Sequence, residues 1–221
     1  MRVLVAGGAG YIGSVVTAAL LSDGHEVTVL DDLSTGHADA VPAGATLAQV
    51  SLHDSAPVLA EVRPDAVLHF AAKSLVGVSQ QQPEDYWSTN VAGSLALLEA
   101  MRAADCRRIV FSSTAATYGE PEEVPILETA PTRPTNTYGA SKLAVDAMLT
   151  SYAVAYDFAA VSLRYFNVGG AAYGRGERHA TETHLIPIAL QVAAGTREAL
   201  TVYGNDYPTP DGTCIRDYVH V

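Results

Sequence analysis

The 221-residue chain carries 24 acidic against 13 basic side chains, a formal net charge of −11, with 48% hydrophobic and 17% charged residues. This is the composition of a globular protein of one or two domains with a sizeable core, unlike that of disordered, collagen-like or disulfide-scaffold chains. The acidity makes nucleic acid and anionic membrane surfaces poor partners, while an anionic small molecule stays open if a few basic residues share a pocket.

Arg2–Ala6 is predicted as a first strand, running into Gly7-Gly8-Ala9-Gly10-Tyr11-Ile12-Gly13 and a helix over Tyr11–Ser22. Glycines at that spacing allow a tight strand-to-helix turn and close approach of a pyrophosphate to helix N–H groups. A plain βα turn also uses glycines, so the second strand, Glu26–Leu30, matters: it ends in Asp31-Asp32. A carboxylate there binds a ribose 2′-hydroxyl and repels a 2′-phosphate, favouring NAD over NADP. Further strands are expected at Thr46–Val50, Ala66–Phe70, Arg108–Ser112 and Ala159–Leu163, with helices at Ala56–Val62, Glu84–Ala104 and Tyr138–Tyr156. Strands this apolar need cover on both faces, which predicts an α/β fold, a doubly wound parallel sheet of the Rossmann kind. From residue 168 the alternation stops. A glycine-rich stretch, a helix over His184–Ala194 and a Gly/Pro-rich segment, Tyr203–Gly212, suggest the beginning of a smaller C-terminal substrate lobe. The expected division is 1–167 for the dinucleotide domain and 168–221 for the partial lobe.

Tyr138 and Lys142 stand four apart on one face of a predicted helix. A free phenol, with a pKa near ~10, is a poor base at neutral pH, but a nearby ammonium and an oxidised nicotinamide both favour its phenolate. Strand Arg108–Ser112 leads to Ser113-Thr114, at the sheet edge where such folds hold ligands. Tyr-x-x-x-Lys also decorates ordinary exposed helices; the preceding dinucleotide motif gives it weight here. Other candidates have plainer readings. His69 fits a packed core histidine and Cys106 a small buried hydrophobe, and His184 fits a surface residue at a helix start. The two cysteines, Cys106 and Cys214, suit a reducing compartment, and no set of His, Cys, Asp and Glu has metal-ligand spacing, so no metal is expected. No apolar run reaches the roughly 18 residues of a membrane span, and the first residues lack a signal-peptide core.

Taken together, GGAGYIGS, DDLSTG at Asp31–Gly36, HFAAKSLVG at His69–Gly77, NVAGS at Asn90, FSSTAATYG at Phe111, YGASK at Tyr138 and RYFNVGGA at Arg164 resemble the extended short-chain dehydrogenase/reductase family. ETHLIP at Glu182–Pro187 and YGNDYPTPDGTCIRDYVHV at Tyr203–Val221 narrow the resemblance to its UDP-hexose 4-epimerase branch. The resemblance implies an NAD-dependent isomerase of carbohydrate and galactose metabolism, cytoplasmic and homodimeric, acting at C4 of a UDP-sugar through a transient ketone. It places Tyr138 as base, Lys142 as its partner and Thr114 as hydroxyl relay.

The resemblance further implies that Gly7, Gly10, Tyr11, Ile12 and Gly13 cradle the NAD pyrophosphate. Asp31, Asp32, Leu33, Ser34, Thr35 and Gly36 would hold the adenosine ribose, with Ser51 and Leu52 nearby. Phe70, Ala71, Ala72, Lys73, Ser74, Thr89, Asn90 and Phe166 complete the expected cofactor set. Thr114, Tyr165, Asn167, His184, Leu185, Tyr203 and Arg216 are the expected substrate contacts, the arginine suiting a diphosphate through charge-assisted hydrogen bonds. Ser51 stands where many members carry an acid, Lys73 lies one position before the lysine of some epimerases, Thr89 replaces an asparagine, and Thr114 replaces the commoner serine. Against the family pattern the chain looks C-terminally truncated, ending inside its most diagnostic segment. The rival readings are a 4-epimerase of N-acetylated or uronic nucleotide sugars and a non-catalytic NAD-binding module. A nucleotide-sugar dehydratase would need an Asp-Glu pair after the threonine, where Ala115-Ala116 stand.

Overall fold

A computed structural model describes residues 1–221. Six strands form one parallel sheet: β1 (Arg2–Ala6), β2 (Glu26–Leu30), β3 (Thr46–Ala48), β4 (Ala66–His69), β5 (Arg108–Ser112) and β6 (Ala159–Leu163), in the order β3-β2-β1-β4-β5-β6. The order reverses between β1 and β4, so a crevice opens at their carboxyl ends. The expected doubly wound sheet is therefore the observed one, with β3 and β4 ending earlier than the apolar runs suggested. β4 ends early because the Phe70 and Ala71 amides both donate to Ala6 O, at 2.7 and 3.0 Å, bending the chain over Gly7.

Parallel strands hide both faces, and the residues comply. On one face Leu4, Ala6, Leu30, Val67, Ile109 and Phe111 join a 16-residue core with Leu97, Leu98, Met101, Val145 and Leu149. Those partners come from α5 (Gly93–Ala103) and α6 (Thr137–Tyr156), while Leu59 comes from α2 (Ser55–Val62). On the other face Val3, Val5 and Val27 pack against Leu20 and Leu21 of α1 (Tyr11–Ser22). Each fully buried side chain of this size contributes roughly 1.5–3 kcal/mol. His69 lies inside, 1% exposed, its Nε2 2.8 Å from Ser94 Oγ and its ring against Phe111. Burial lowers its pKa to about 3, so it is a neutral core histidine. Cys106 is likewise buried.

The expected helix Glu84–Ala104 is three pieces: α4 (Pro83–Tyr86), a π turn (Trp87–Ala92) and α5. A shorter helix, α3 (Val76–Gln81), precedes them and was not foreseen. The π turn aims Asn90 inward, where its side chain bonds the Lys73 backbone at 2.8 and 3.0 Å and Ser141 Oγ at 2.9 Å. Later in the chain α7 (Leu185–Ala193) forms as expected, and β7 (Asn167–Gly169) pairs in parallel with β8 (Tyr218–His220) as a separate two-stranded sheet. This second region is tied to the first by Arg178 on Asp39 at 2.7 and 2.9 Å, Arg175 on Ala40 O and Tyr11 Oη on Gly170 O. No helix is long and apolar enough to cross a membrane.

Candidate active site

The crevice over β1 and β4 opens into a cleft of about 1790 Å³, well above the roughly 300–1,000 Å³ of a pocket for one drug-sized ligand. Its floor is the glycine turn. Gly7 has φ +82°, and a Cβ there would lie 2.4 Å from Ala71 N; one on Gly13 would lie 2.1 Å from Gly7 O. Only glycine fits either place. A Cβ on Gly10 would meet only Gly7 O, at a tight but not forbidden 3.3 Å. The first turn of α1 has no side-chain cap and no acidic residue, leaving its unpaired N–H groups to an anion. The turn therefore fits a pyrophosphate, as NAD requires. Asp31, 8% exposed, accepts from Ala9 N at 3.0 Å and Leu33 N at 2.9 Å, pinning the turn to the loop after β2. Asp32 is exposed and accepts from Ser34 N at 2.8 Å.

The far wall holds the three candidate catalytic residues. Asn136 caps α6 by accepting from Gly139 N at 2.8 Å, which starts the helix with Tyr138 in its first turn and Lys142 in its second. Thr114, at the end of β5, caps the short turn Ala115–Thr117 by accepting from Ala116 N at 3.1 Å. Lys142 Nζ donates to Ser112 O at 2.8 Å and lies 4.8 Å from the Phe111 ring centre and 5.9 Å from that of Tyr138. Burial lowers its pKa to about 7, against the opposing pull of Asp146. Tyr138 moves the other way. Burial raises it to about 12, and the group that draws it back is Thr114. The sequence argument relied on the ammonium and an oxidised nicotinamide together to favour the phenolate; among the protein's own groups Thr114 is the one that favours it. In the cofactor-free chain desolvation of the phenolate outweighs that attraction.

Nearly all the expected binding residues line this one cleft: Gly7, Gly10, Tyr11, Ile12, Gly13, Asp31, Asp32, Ser34, Thr35, Gly36, Ser51, Leu52, Phe70 to Ser74, Thr89 and Phe166 on one side, and Tyr165, Asn167, His184, Leu185, Tyr203 and Arg216 on the other. Two do not. Leu33 turns at φ +60° to satisfy Asp31, and Asn90 is buried with its amide spent on the Lys73 loop and Ser141. Asn90 thus shapes the loop after β4. Ser51 directs its hydroxyl to Asp54 Oδ2 at 2.7 Å. Tyr165 Oη lies 2.5 Å from Ser112 Oγ, Tyr203 is 97% exposed, and Arg216 donates to Ile215 O.

One functional neighbour escaped the sequence reading. Asp146, four residues beyond Lys142 and so one turn along the same helix face, accepts from Arg164 Nε at 3.0 Å and from Ser113 Oγ at 3.2 Å, and favours the charged form of Lys142. The spacing alone was the available signal. Glu177, His179, Glu182 and His184, whose spacing suggested no metal site, converge in the loop before α7. Their spacing matches no familiar motif because the loop folds back on itself.

A dinucleotide crevice beside a half-buried tyrosine and a buried lysine defines a dehydrogenase-type site, and the comparisons agree. The model of the NAD dependent epimerase/dehydratase family matches residues 3–221, and the chain belongs to that family. Its relatives there are UDP-glucose 4-epimerases. Those of Corynebacterium glutamicum and Streptomyces lividans are 56% and 59% identical over 222 and 224 residues, covering 100% of this chain and 68% of each relative. The structure of UDP-glucose 4-epimerase from Brucella ovis in complex with NAD is 46% identical with a TM-score of 0.95, over 99% of this chain and 69% of that one.

Proposed function

We propose that this chain interconverts UDP-glucose and UDP-galactose by NAD-dependent epimerisation at C4 of the sugar. The observation that carries the reading is the junction of the glycine crevice with half-buried Tyr138, buried Lys142 and Thr114. Bound NAD supplies a hydride acceptor and donor and a positive charge beside the phenol. Tyr138 removes the proton of the 4-hydroxyl through Thr114 and returns it to the C4 oxygen after the 4-keto sugar has turned its opposite face to the nicotinamide side, where C4 would regain its hydride with inverted configuration. Lys142, fixed by Ser112 O, holds the phenolate's counter-charge. Asp31 and Asp32 take the adenosine ribose, and the uncapped turn of α1 takes the pyrophosphate. Across the cleft His184, Leu185, Tyr203 and Arg216 grip the uridine diphosphate, so binding energy from the non-reacting part retains the sugar while it turns over.

The proposal treats 1–167 as the cofactor domain and 168–221 as part of the substrate lobe. It includes a homodimer formed through the Glu84–Ala104 and Tyr138–Tyr156 segments, where Trp87, Leu95 and Val154 are exposed, and a cytoplasmic setting, which free cysteines suit. Light scattering at the monomer mass overturns the dimer. The test of the reaction is a coupled UDP-galactose assay on Tyr138→Phe. Turnover should fall by at least about 10²-fold with NAD retained. Normal turnover in the variant refutes the assignment of the base, and turnover only on N-acetylated or uronic sugars refutes the substrate.

A further inference from the structure

The loop between β7 and α7 gathers four metal-ligand side chains within eight residues: Glu177, His179, Glu182 and His184. One ligand atom of each lies within 4.8 Å of all the others. Glu177 Oε1 is 2.9 Å from His179 Nδ1 and 2.7 Å from His184 Nδ1, and Glu182 Oε1 is 2.9 Å from His184 Nδ1. Both carboxylate side chains are about nine-tenths buried, at 10% and 9% exposure. Buried carboxylates need a compensating cation, and without a metal the His184 imidazolium, held between Glu177 and Glu182, supplies one positive charge for the two. The arginines nearby are engaged elsewhere, Arg178 on Asp39 and Arg175 on the carbonyls of Ala40 and Tyr173.

A second observation separates this set from an ordinary ion-paired network. His179 Nδ1 is buried without a hydrogen-bond partner, although it stands 2.9 Å from Glu177: the two are near, but not aligned for N–H donation. Glu182, by contrast, is held in place by the Thr183 and His184 N–H groups at 2.8 and 2.7 Å, the kind of outer support that orients a metal ligand. Four donors at ~2.0–2.1 Å from a tetrahedral ion stand roughly 3.3 Å apart, inside the range of separations seen here. Two imidazoles with two carboxylates select zinc and its first-row neighbours over calcium or magnesium, which take oxygen ligands.

We propose that Glu177, His179, Glu182 and His184 form a four-coordinate site for a divalent transition metal of the zinc type. The ion has a structural role. It closes the loop beside Gly176, which faces Gly10 and Tyr11 across a small cavity, and fixes His184 and Leu185 at the start of α7. The site does not depend on the epimerase reading, since its test measures metal binding and not turnover.

The full chain, stripped with a chelator and dialysed, is titrated with Zn²⁺ alone by calorimetry and with Co²⁺ by visible absorption. One equivalent should bind, with the intense d–d bands of four-coordinate cobalt. His179→Ala and the isosteric Glu182→Gln should each bind at least about tenfold more weakly, while His25→Ala, outside the cluster, should bind as the parent does. Circular dichroism of Glu182→Gln checks that the fold is kept. Absence of saturable binding, or equal affinity in the parent and both cluster variants, overturns the site and leaves an ion-paired loop or adventitious binding only.

Discussion

Lys142→Met in the NAD-free protein should flatten the dependence of stability on pH between about 7 and 10. Lys142 is 2% exposed, and its pKa falls from an ordinary 10.5 to about 7 because the ammonium has lost water. Between those values the unfolded chain binds the proton and the folded chain does not, so unfolding takes up protons and folded stability rises with pH. The slope from this one group approaches about 1.4 kcal/mol per pH unit, or about 5 kcal/mol across the window. Below about pH 7 both states are protonated and the full penalty stands. Tyr138, raised to about 12, acts in the opposite sense: its folded state keeps a proton that the unfolded chain releases above pH 10, so stability is lost there. The clean interval is therefore pH 7 to 9. Methionine fills a similar apolar volume without charge, and replacing a buried charge in this way is often neutral or stabilising. Urea unfolding at pH 7, 8 and 9 should show the parent gaining stability relative to the variant at each step. Parallel curves for the two proteins would mean that the fold does not store this desolvation cost, and the reasoning fails.

Thr114 separates relay from cap. Thr114→Ser keeps both functions and should turn over within about threefold of the parent, whereas Thr114→Val should lose at least about tenfold in kcat and about 1 kcal/mol of stability with the bond to Ala116 N; equal rates for valine and serine remove Thr114 from the proton path. The glycines separate fold from ligand. Gly13→Ala puts a Cβ 2.1 Å from Gly7 O and should cost about 1–3 kcal/mol or more in thermal unfolding, while Gly10→Ala, whose single tight contact at 3.3 Å needs only a small shift, should fold within about 1 kcal/mol of the parent and bind NAD at least tenfold more weakly by calorimetry. Unchanged NAD affinity in Gly10→Ala places the pyrophosphate elsewhere.

The parts of this molecule that could be read from sequence are those whose cause lies within a few residues. Arg2–Ala6 and Glu26–Leu30 are strands because short apolar runs can be buried only on both faces of a parallel sheet, and the glycine turn between β1 and α1 follows from the steric limits on Gly7 and Gly13. Tyr138 and Lys142 share a helix face by periodicity alone. What remained hidden depends on partners distant in the chain. β7 and β8 exist through pairing of Asn167 with Tyr218 and Gly169 with His220, and three-residue strands carry no alternation to detect. The break at Trp87–Ala92 answers to Lys73 and Ser141, which claim Asn90 from outside the helix. The desolvation of Tyr138 was hidden for the same reason: adjacency to Lys142 is visible as a spacing, but the loss of water around the phenol is a property of the assembled cleft. That loss also bears on catalysis. A phenol held near 12 is neutral at pH 7, and a lysine held near 7 is about half charged there, so the pair is not fully ionised. In the reaction proposed above, a positive ring beside the phenol would favour its phenolate, so Tyr138 would act as base chiefly with NAD bound.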